Sequence, residues 1–242
     1  MLTGIVTVLF LYGCGNDLPV EDIVKSLRTA PSYSILLEDM EEEGNFFKSY
    51  FHKYRIVQEN KSGITKWLEV PKAYYMANEA FLGMVIAGKT GNEIISSAVP
   101  AAYQYVGNNR YGRWRDDRGR SLWEFDRGSP LFEELDIDLS FPIYRKDYKA
   151  YKRSKSKKVP FFGTHKEYGT RGSVTKKKKP GFFERHKARE QAKKTSFAKK
   201  VGKRMGRTAS ATSKRISTVS TTNKKTGRTR TGFRSRSGGR GK

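Results

Sequence analysis

The stretch YSILLEDMEEEGNFFKSYFHKYRIVQ, residues 33–58, decides the fold of this chain. Two runs rich in aromatic and aliphatic residues flank an acidic segment that ends in Gly44-Asn45. Gly-Asn between two such runs is a typical β-hairpin signal. We therefore predict two antiparallel strands joined by a turn at residues 41–45.

The sequence on either side of this hairpin extends the pattern. A turn signal at residues 60–63 precedes a third strand-like run, residues 64–70, so we predict a three-stranded antiparallel meander. Upstream, Pro19 opens a segment whose apolar residues recur at helical spacing. These positions predict an amphipathic helix over residues 19–28: Val20, Ile23, Val24 and Leu27.

Helical and strand-like patterns also follow the meander. Residues 71–87 carry apolar side chains at helical spacing, and we predict a second helix that ends at Gly88. Residues 133–139 alternate acidic and apolar side chains, which predicts a strand with one solvated face. The predicted fold class is therefore α+β, a small antiparallel sheet with flanking helices.

Charge divides the chain near residue 143. The whole sequence has 49 Lys and Arg against 24 Asp and Glu, a net charge of +25. Residues 1–143 have 15 basic and 20 acidic side chains, whereas residues 144–242 have 34 basic and 4 acidic ones. The latter composition offers too little apolar surface to offset the chain entropy lost on folding. We expect one globular domain over residues 18–143 and a disordered basic tail over residues 144–242, with a transient helix within residues 181–200.

The tail is expected to bind polyanions through its blocks of positive charge. Each contact with an anionic group releases counterions, so binding should be strong at low salt and weaken as salt rises. The candidate residues are Lys176, Lys177, Lys178, Lys179, Arg228, Arg230, Arg234 and Arg236. A charged linker without a specific partner is the alternative.

A second candidate surface lies in residues 100–125, where arginines alternate with aromatic residues. Arginine next to aromatic rings suits stacking on bases or sugars and bidentate contacts with phosphate or carboxylate. The candidate anion-binding residues are Arg110, Arg113 and Arg115, and the candidate aromatic contacts are Tyr103, Tyr105, Tyr111, Trp114 and Trp123. In the alternative interpretation, the aromatic residues pack into the domain as a glycine-turned strand pair and the arginines face water.

The N-terminal segment is typical of an export signal. Residues 2–13 are uncharged and mostly apolar, and they end at the chain's only cysteine, Cys14. The run is too short to span a bilayer, and its abrupt end fits a cleaved secretory signal. A buried strand or helix with a small apolar cysteine is the alternative.

The residues Leu11-Tyr12-Gly13-Cys14 resemble the lipobox of bacterial lipoproteins. The resemblance implies that a signal peptide, residues 1–13, is removed and that Cys14 carries the lipid, including palmitate. Residues 14–17 would then link the anchor to the domain. Several acyl chains together anchor a protein stably to a membrane. By the same resemblance, Gly15 after the cysteine favours the outer membrane in a Gram-negative cell.

Motifs for catalysis or metal binding do not stand out. One Cys and three scattered His exclude a Cys-rich metal site and cannot by themselves form a His-based one, and we expect no cofactor. His52 lies in an aromatic strand pattern, where a hydrogen-bonded or exposed histidine is expected. Residues 83–90 match the phosphate-loop pattern G-x-x-x-x-G-K-[ST], but a helix ending at Gly88 explains the same letters. We therefore expect a protein without enzymatic activity.

Two functional hypotheses follow from these patterns. The first is a bacterial envelope lipoprotein, membrane-anchored through Cys14, whose cationic tail contacts lipopolysaccharide, anionic lipid or teichoic acid. The second is an intracellular RNA- or DNA-binding protein that uses the basic tail and the Arg/aromatic segment, residues 103–123.

Overall fold

The computed structural model describes residues 18–44, 47–59, 61–126, 131, 134–135, 137 and 141–220, with the backbone alone for 206–220. The predicted signal peptide, Cys14 and its linker lie outside the described residues, as do Arg228, Arg230, Arg234 and Arg236. The chain divides into two compact units, Met1–Arg185 and His186–Lys242. Among the described residues, no helix combines the length and apolar character that crossing a membrane requires.

The predicted hairpin and meander are confirmed in arrangement, but residues 41–43 and 61–63, predicted as turns, lie in strands. Strand β1, Ser32–Glu43, pairs antiparallel with β2, Ser49–Gln58, in a register that sets Tyr33 opposite Gln58. The third strand is interrupted, because β3, Lys61–Ile64, and β4, Leu68–Glu69, each pair separately with β2. An antiparallel sheet therefore forms around residues 33–58.

The predicted helix over residues 71–87 is only partly correct. Helix α2, Lys72–Asn78, is followed by the 3-10 turn Glu79–Phe81, and the chain then enters β5, Val85–Thr90. The chain leaves the helical path at Leu82, with φ −52 and ψ 130, and Gly83 follows with φ +73, a left-handed conformation that glycine adopts without strain. The apolar residues that follow lie in a strand paired with β1 rather than on a helical face.

Strand β5 completes the sheet on the other side of β1. Strand β6, Glu93–Ile95, pairs with β5, so the strands follow the order β3-β2-β1-β5-β6, with β4 beside β2. Both faces of β1 are covered: Ile35 and Leu37 belong to one apolar cluster and Leu36 to another. The central strand of the sheet therefore lies between two cores.

The predicted N-terminal helix is confirmed and covers the first of these faces. Helix α1, Pro19–Ser26, begins at the proline and has acidic residues in its first turn, which complement the helix dipole. Val20 and Leu27 are buried against Ile35, Leu37 and Tyr54. The i, i+3, i+4, i+7 pattern therefore marks the face that packs on the sheet.

A second core covers the opposite face. It contains the 3-10 turn Ala101–Gln104 and a separate hairpin formed by β7, Gly112–Asp117, and β8, Arg120–Phe125. Arg118 and Gly119 form the turn of this hairpin, and both have positive φ, 49 and 77. The predicted glycine-turned strand pair is therefore present, and its inner face contributes to this core.

The first compact unit extends beyond the boundary predicted at residue 143. Helix α3, Arg145–Ser156, begins directly after it, and Tyr151, Phe161 and Val174 are buried. Ring contacts join Tyr151 to Tyr103 at 5.6 Å and to Phe161 at 5.8 Å between centroids. Tyr151 and Phe161 thus bury apolar surface in a segment whose average composition is dominated by lysine.

Two more helices occupy the predicted disordered tail. They are α4, Ser173–Lys178, and α5, Pro180–Ser220, and α5 includes the segment in which the sequence predicted a basic helix. The first compact unit extends to Arg185. Three described helices, α3, α4 and α5, therefore lie in the segment predicted to be a disordered tail, and residues 221–242 lie outside the described part.

The strand predicted at residues 133–139 is not present where the chain is described. The amide of Leu135 donates a hydrogen bond to the carbonyl of Leu131 at 3.0 Å, the i→i+4 pattern of a helical turn. Both leucines are buried in the second core. The two leucines lie one helical turn apart and so face this core together.

Candidate polyanion-binding surfaces

The aromatic residues predicted to contact a ligand lie mainly in the interior. Tyr103, Tyr105, Tyr111 and Trp123 are each less than 5% exposed. Trp114 is half-buried, 5.1 Å from Trp123 and covered by the guanidinium of Arg145 at 4.6 Å. Because the hairpin packs its rings into the second core, four of the five predicted contact rings are buried, and the packing alternative accounts for these four.

The arginines of the same segment are exposed, but carboxylates face them. Arg110 pairs with Glu59 at 2.9 Å. Arg113 and Arg115 both pair with Glu124, at 3.1 and 3.3 Å. Hydrogen bonding from Arg113 holds the pKa of Glu124 below its ordinary value, so this carboxylate stays charged. The predicted anion-binding arginines thus sit among partly neutralised charges.

Helix α3 carries a positive surface that the sequence interpretation assigned to a disordered tail. Five of its basic residues are exposed and lie on one side of the helix by their spacing. We call this set the α3 basic face: Arg145, Lys146, Lys149, Lys152 and Arg153. It extends about 12 Å along the helix axis, at 1.5 Å per residue.

The opposite side of α3 holds the face in place. Tyr151 is buried, and the one acidic residue of the helix, Asp147, is buried as well. The Asp147 carboxylate accepts hydrogen bonds from the amide of Tyr144 at 3.2 Å and the hydroxyl of Thr164 at 2.8 Å. This acid therefore caps the helix and is not available to neutralise the basic side chains outside.

Charge on the α3 basic face is largely uncompensated. In the part of the chain that the structure describes, Lys146, Lys149 and Arg153 form no ion pair with a carboxylate. Arg145 and Lys152 instead lie over aromatic rings, those of Trp114 and Tyr148, at 4.6 and 5.8 Å. Cation-π contacts orient these two groups and leave their charge in place.

The predicted block of lysines at residues 176–179 divides between two roles. Lys176 and Lys177 are exposed on α4 and remain candidates for anion contact. Lys179 is partly buried and donates a hydrogen bond to Glu38, which removes it from the surface charge. Composition predicted one uniform tail, but the lysines of this block differ: Lys176 and Lys177 are exposed, whereas Lys179 pairs with Glu38.

The second unit presents positive charge along α5. Residues 186–205 contain one acidic residue, Glu190, and the following eight basic ones: Lys187, Arg189, Lys193, Lys194, Lys199, Lys200, Lys203 and Arg204. All side chains of this segment are exposed except those of Arg189 and Glu190, which are half-buried. Basic residues therefore outnumber acidic ones eight to one in this segment.

The phosphate-loop letters at residues 83–90 have a structural explanation. They span a turn and β5, and a turn and β6 follow instead of the helix whose N-terminus would bind phosphate. A Cβ at Gly88 would lie 2.9 Å from the carbonyl of Tyr33 and 3.1 Å from the Gln104 amide. Glycine is needed there because Gln104 packs on β5 and donates hydrogen bonds to Tyr33 and Thr90.

Other candidates for chemistry are structural or small. His52 is fully buried, and its Nδ1 lies 3.0 Å from the hydroxyl of Tyr54. Burial lowers the pKa of His52 to about 4. A cavity of about 70 Å³ borders Glu38 and Arg55, too small for an organic ligand of ordinary size. Within the described ranges, no cluster of three or more His, Cys, Asp or Glu side chains could hold a metal ion.

Comparison with known proteins supplies no relative: no family model, no curated protein and no solved structure matches this chain. A functional assignment therefore depends on its surface chemistry. The α3 basic face is the feature of the first unit that stands out, because it places unpaired cations at regular spacing on a folded helix.

Proposed function

We propose that this protein is a lipid-anchored protein of the bacterial envelope that binds anionic envelope polymers and has no catalytic activity. The observation that carries the proposal is the uncompensated α3 basic face. The exposed arginines Arg113 and Arg115 of the β7-β8 hairpin, by contrast, pair with Glu124. On α3, Lys146, Lys149 and Arg153 point to water among like charges.

Like charges one helical turn apart repel each other by about 0.2–0.5 kcal/mol per pair. A partner with several anionic groups in a row offsets this repulsion at all positions together. Such a partner also releases its counterions on binding, which adds a favourable entropy. A linear or clustered polyanion therefore fits this surface better than a single small anion does.

The location follows from the N-terminal resemblance. A lipid at Cys14 would hold the chain at a membrane, where lipopolysaccharide, anionic lipid and teichoic acid carry phosphate or carboxylate groups. Mass spectrometry of the mature N-terminal peptide tests this part of the proposal. Acyl groups on Cys14 are expected, with Cys14→Ala shifting the protein out of the membrane fraction. An intact Met1 and a free thiol would contradict it.

Nucleic acid is a weaker candidate partner. The hypothesis of base stacking needed exposed rings in residues 103–123, and four of the five rings are buried. Phosphate contacts from the α3 basic face would remain, with little preference for sequence. Single-stranded DNA therefore belongs in the binding experiment as a competing probe.

The binding experiment compares two triple variants of the full chain. Lys146→Gln, Lys149→Gln and Arg153→Gln together remove three charges from the α3 basic face. Three exposed lysines outside it, changed together, serve as the matched control: Lys61→Gln, Lys66→Gln and Lys72→Gln.

The α3 variant should bind purified lipopolysaccharide and teichoic acid about tenfold more weakly than wild type, with a reduced salt dependence. The control should stay within about twofold. Equal losses in the two variants would overturn the proposed site. Binding to single-stranded DNA alone would reassign the partner to nucleic acid.

A further inference from the structure

The part of α5 that follows Arg185 carries an apolar stripe as well as positive charge. Phe197, Val201 and Met205 are spaced four residues apart and so lie along one side of the helix. Phe197 and Met205 are 69% and 67% exposed, and Val201 is 37% exposed. These are the exposed large apolar side chains among the described residues of the second unit.

Basic residues border this stripe. Lys200 and Arg204 lie three residues after Phe197 and Val201, which places them beside the apolar side chains. A shallow surface groove is lined by Phe197, Val201, Lys200 and Arg204 together with Lys203. The segment is therefore a cationic amphipathic helix with both kinds of surface open to solvent.

The remaining charges of the segment fit the same arrangement. Glu190 precedes the stripe and pairs with Lys193 at 3.2 Å, so its carboxylate does not neutralise the cations around Phe197. Lys194 lies one turn before Phe197 on the side of the stripe. Its methylene stem can lie along apolar surface while the ammonium reaches an interface.

We propose that residues 186–205 of α5 bind the surface of an anionic phospholipid bilayer, with Phe197, Val201 and Met205 inserted between the headgroups. The inference rests on the proposed function and specifies anionic phospholipid as the partner of residues 186–205. A soluble polyanion would match the cations but leave the stripe in water. A bilayer interface matches both, since headgroup phosphates meet Lys200 and Arg204 and acyl chains meet the apolar side chains.

The test uses the full chain with Cys14→Ser, so that no acyl group contributes. Vesicles of phosphatidylcholine with about 30% phosphatidylglycerol are compared with vesicles of phosphatidylcholine alone. The stripe variant combines Phe197→Ser, Val201→Ser and Met205→Ser. The matched control combines Ala188→Ser and Ala192→Ser, on the other side of the helix. Binding to teichoic acid is measured in parallel.

The stripe variant should bind anionic vesicles at least about tenfold more weakly, because three apolar side chains no longer leave water. The control should bind as wild type does, and both should bind teichoic acid normally. Unchanged vesicle binding by the stripe variant would overturn the inference and leave the proposed function standing. If the parent chain bound neither anionic vesicles nor teichoic acid, both the inference and the proposed function would be overturned.

Tryptophan fluorescence provides a second test, which does not depend on whether the triple serine variant forms the helix. F197W places an indole in the stripe, and K199W places one on the far side of the helix. With anionic vesicles, fluorescence from F197W should shift to the blue and be quenched by brominated acyl chains, relative to the parent chain with its native tryptophans. K199W should show neither change. Equal quenching of the two variants would contradict insertion of the stripe.

Discussion

The ammonium of Lys179 donates a hydrogen bond to the carboxylate of Glu38 and so joins the residue before α5 to the central strand of the sheet. Glu38 lies at the register shift of β1 between Leu37 and Asp39, a β-bulge that re-aims side chains. Its carboxylate also accepts hydrogen bonds from Arg55 at 3.0 and 3.4 Å. Burial acts to raise the pKa of Glu38, but the contacts with Arg55 and Lys179 outweigh it and the pKa is lowered.

Loss of this carboxylate should destabilise the first unit. Glu38→Gln is expected to lower the free energy of unfolding by about 1–3 kcal/mol at neutral pH, because Arg55 and Lys179 would be left partly buried without a charged partner. Urea denaturation measures the change. Lys179→Met should cost less, since Arg55 still pairs with Glu38. Lys25→Met removes an exposed pair with Asp22 and should stay within about 0.5 kcal/mol. Equal costs for all three variants would contradict this account.

His52 should make stability depend on pH in the mildly acidic range. Its pKa is about 4 in the folded protein and about 6.5 in the unfolded chain, so the unfolded state binds more protons between these values. Stability should therefore fall as the pH is lowered from about 6.5 to 4, by up to about 3 kcal/mol at 1.36 kcal/mol per pH unit.

Thermal or urea unfolding of His52→Phe measured across this pH range isolates the contribution. The variant should lose most of the wild-type slope between pH 6.5 and 4. His165→Phe, at an exposed position, should keep the wild-type slope. A slope unchanged by His52→Phe would show that another group is responsible.

The boundary of the folded unit can be tested by truncation. A fragment of residues 18–185 should unfold cooperatively, whereas a fragment of residues 18–143 should not. The shorter fragment lacks Tyr151 and Phe161, which belong to the second core, and it also lacks the buried Val174. Near-UV circular dichroism and the heat capacity trace of unfolding distinguish the two. Cooperative unfolding of the shorter fragment, at the same midpoint, would support the boundary predicted from composition.

Gly88 should be required for packing rather than for binding phosphate. Gly88→Ala is expected to destabilise the first unit by about 1–3 kcal/mol, because the new Cβ would meet the Tyr33 carbonyl and the Gln104 amide. Gly63→Ala in β3, where a Cβ meets nothing within 4 Å, is the matched control and should be close to neutral. Addition of ATP with magnesium should leave the melting temperature of wild type unchanged. A rise on adding nucleotide would restore the phosphate-loop interpretation.

Short sequence patterns predicted the elements whose formation depends mainly on neighbouring residues. Helix α1 follows from Pro19 and apolar spacing, and the β1-β2 hairpin follows from two strand-like runs around Gly44-Asn45. Strand β5 could not be predicted in this way, because a short apolar run such as residues 82–87 suits a helix or a strand equally. Its partner, β1, lies about 50 residues away in sequence.

The candidate site shows the same division. Composition predicted a positively charged C-terminal part and a polyanion as partner, but it assigned Lys146, Lys149 and Arg153 to a disordered chain. Aromatic residues one turn apart, Tyr148 and Tyr151, were the available sign of a helix with a packed face. High net charge masked that sign, because two rings among many lysines change an average very little.

By itself, the sequence determined the α+β class, the hairpin, the first helix and the division of charge along the chain, because each depends on neighbouring residues or on composition alone. Only the tertiary structure decided which rings are buried, which cations are paired and which remain open to a partner. Those outcomes depend on contacts between distant segments, such as Tyr103 with Tyr151 and Glu38 with Lys179. These contacts stabilise the protein only after folding has brought the two residues of each pair together.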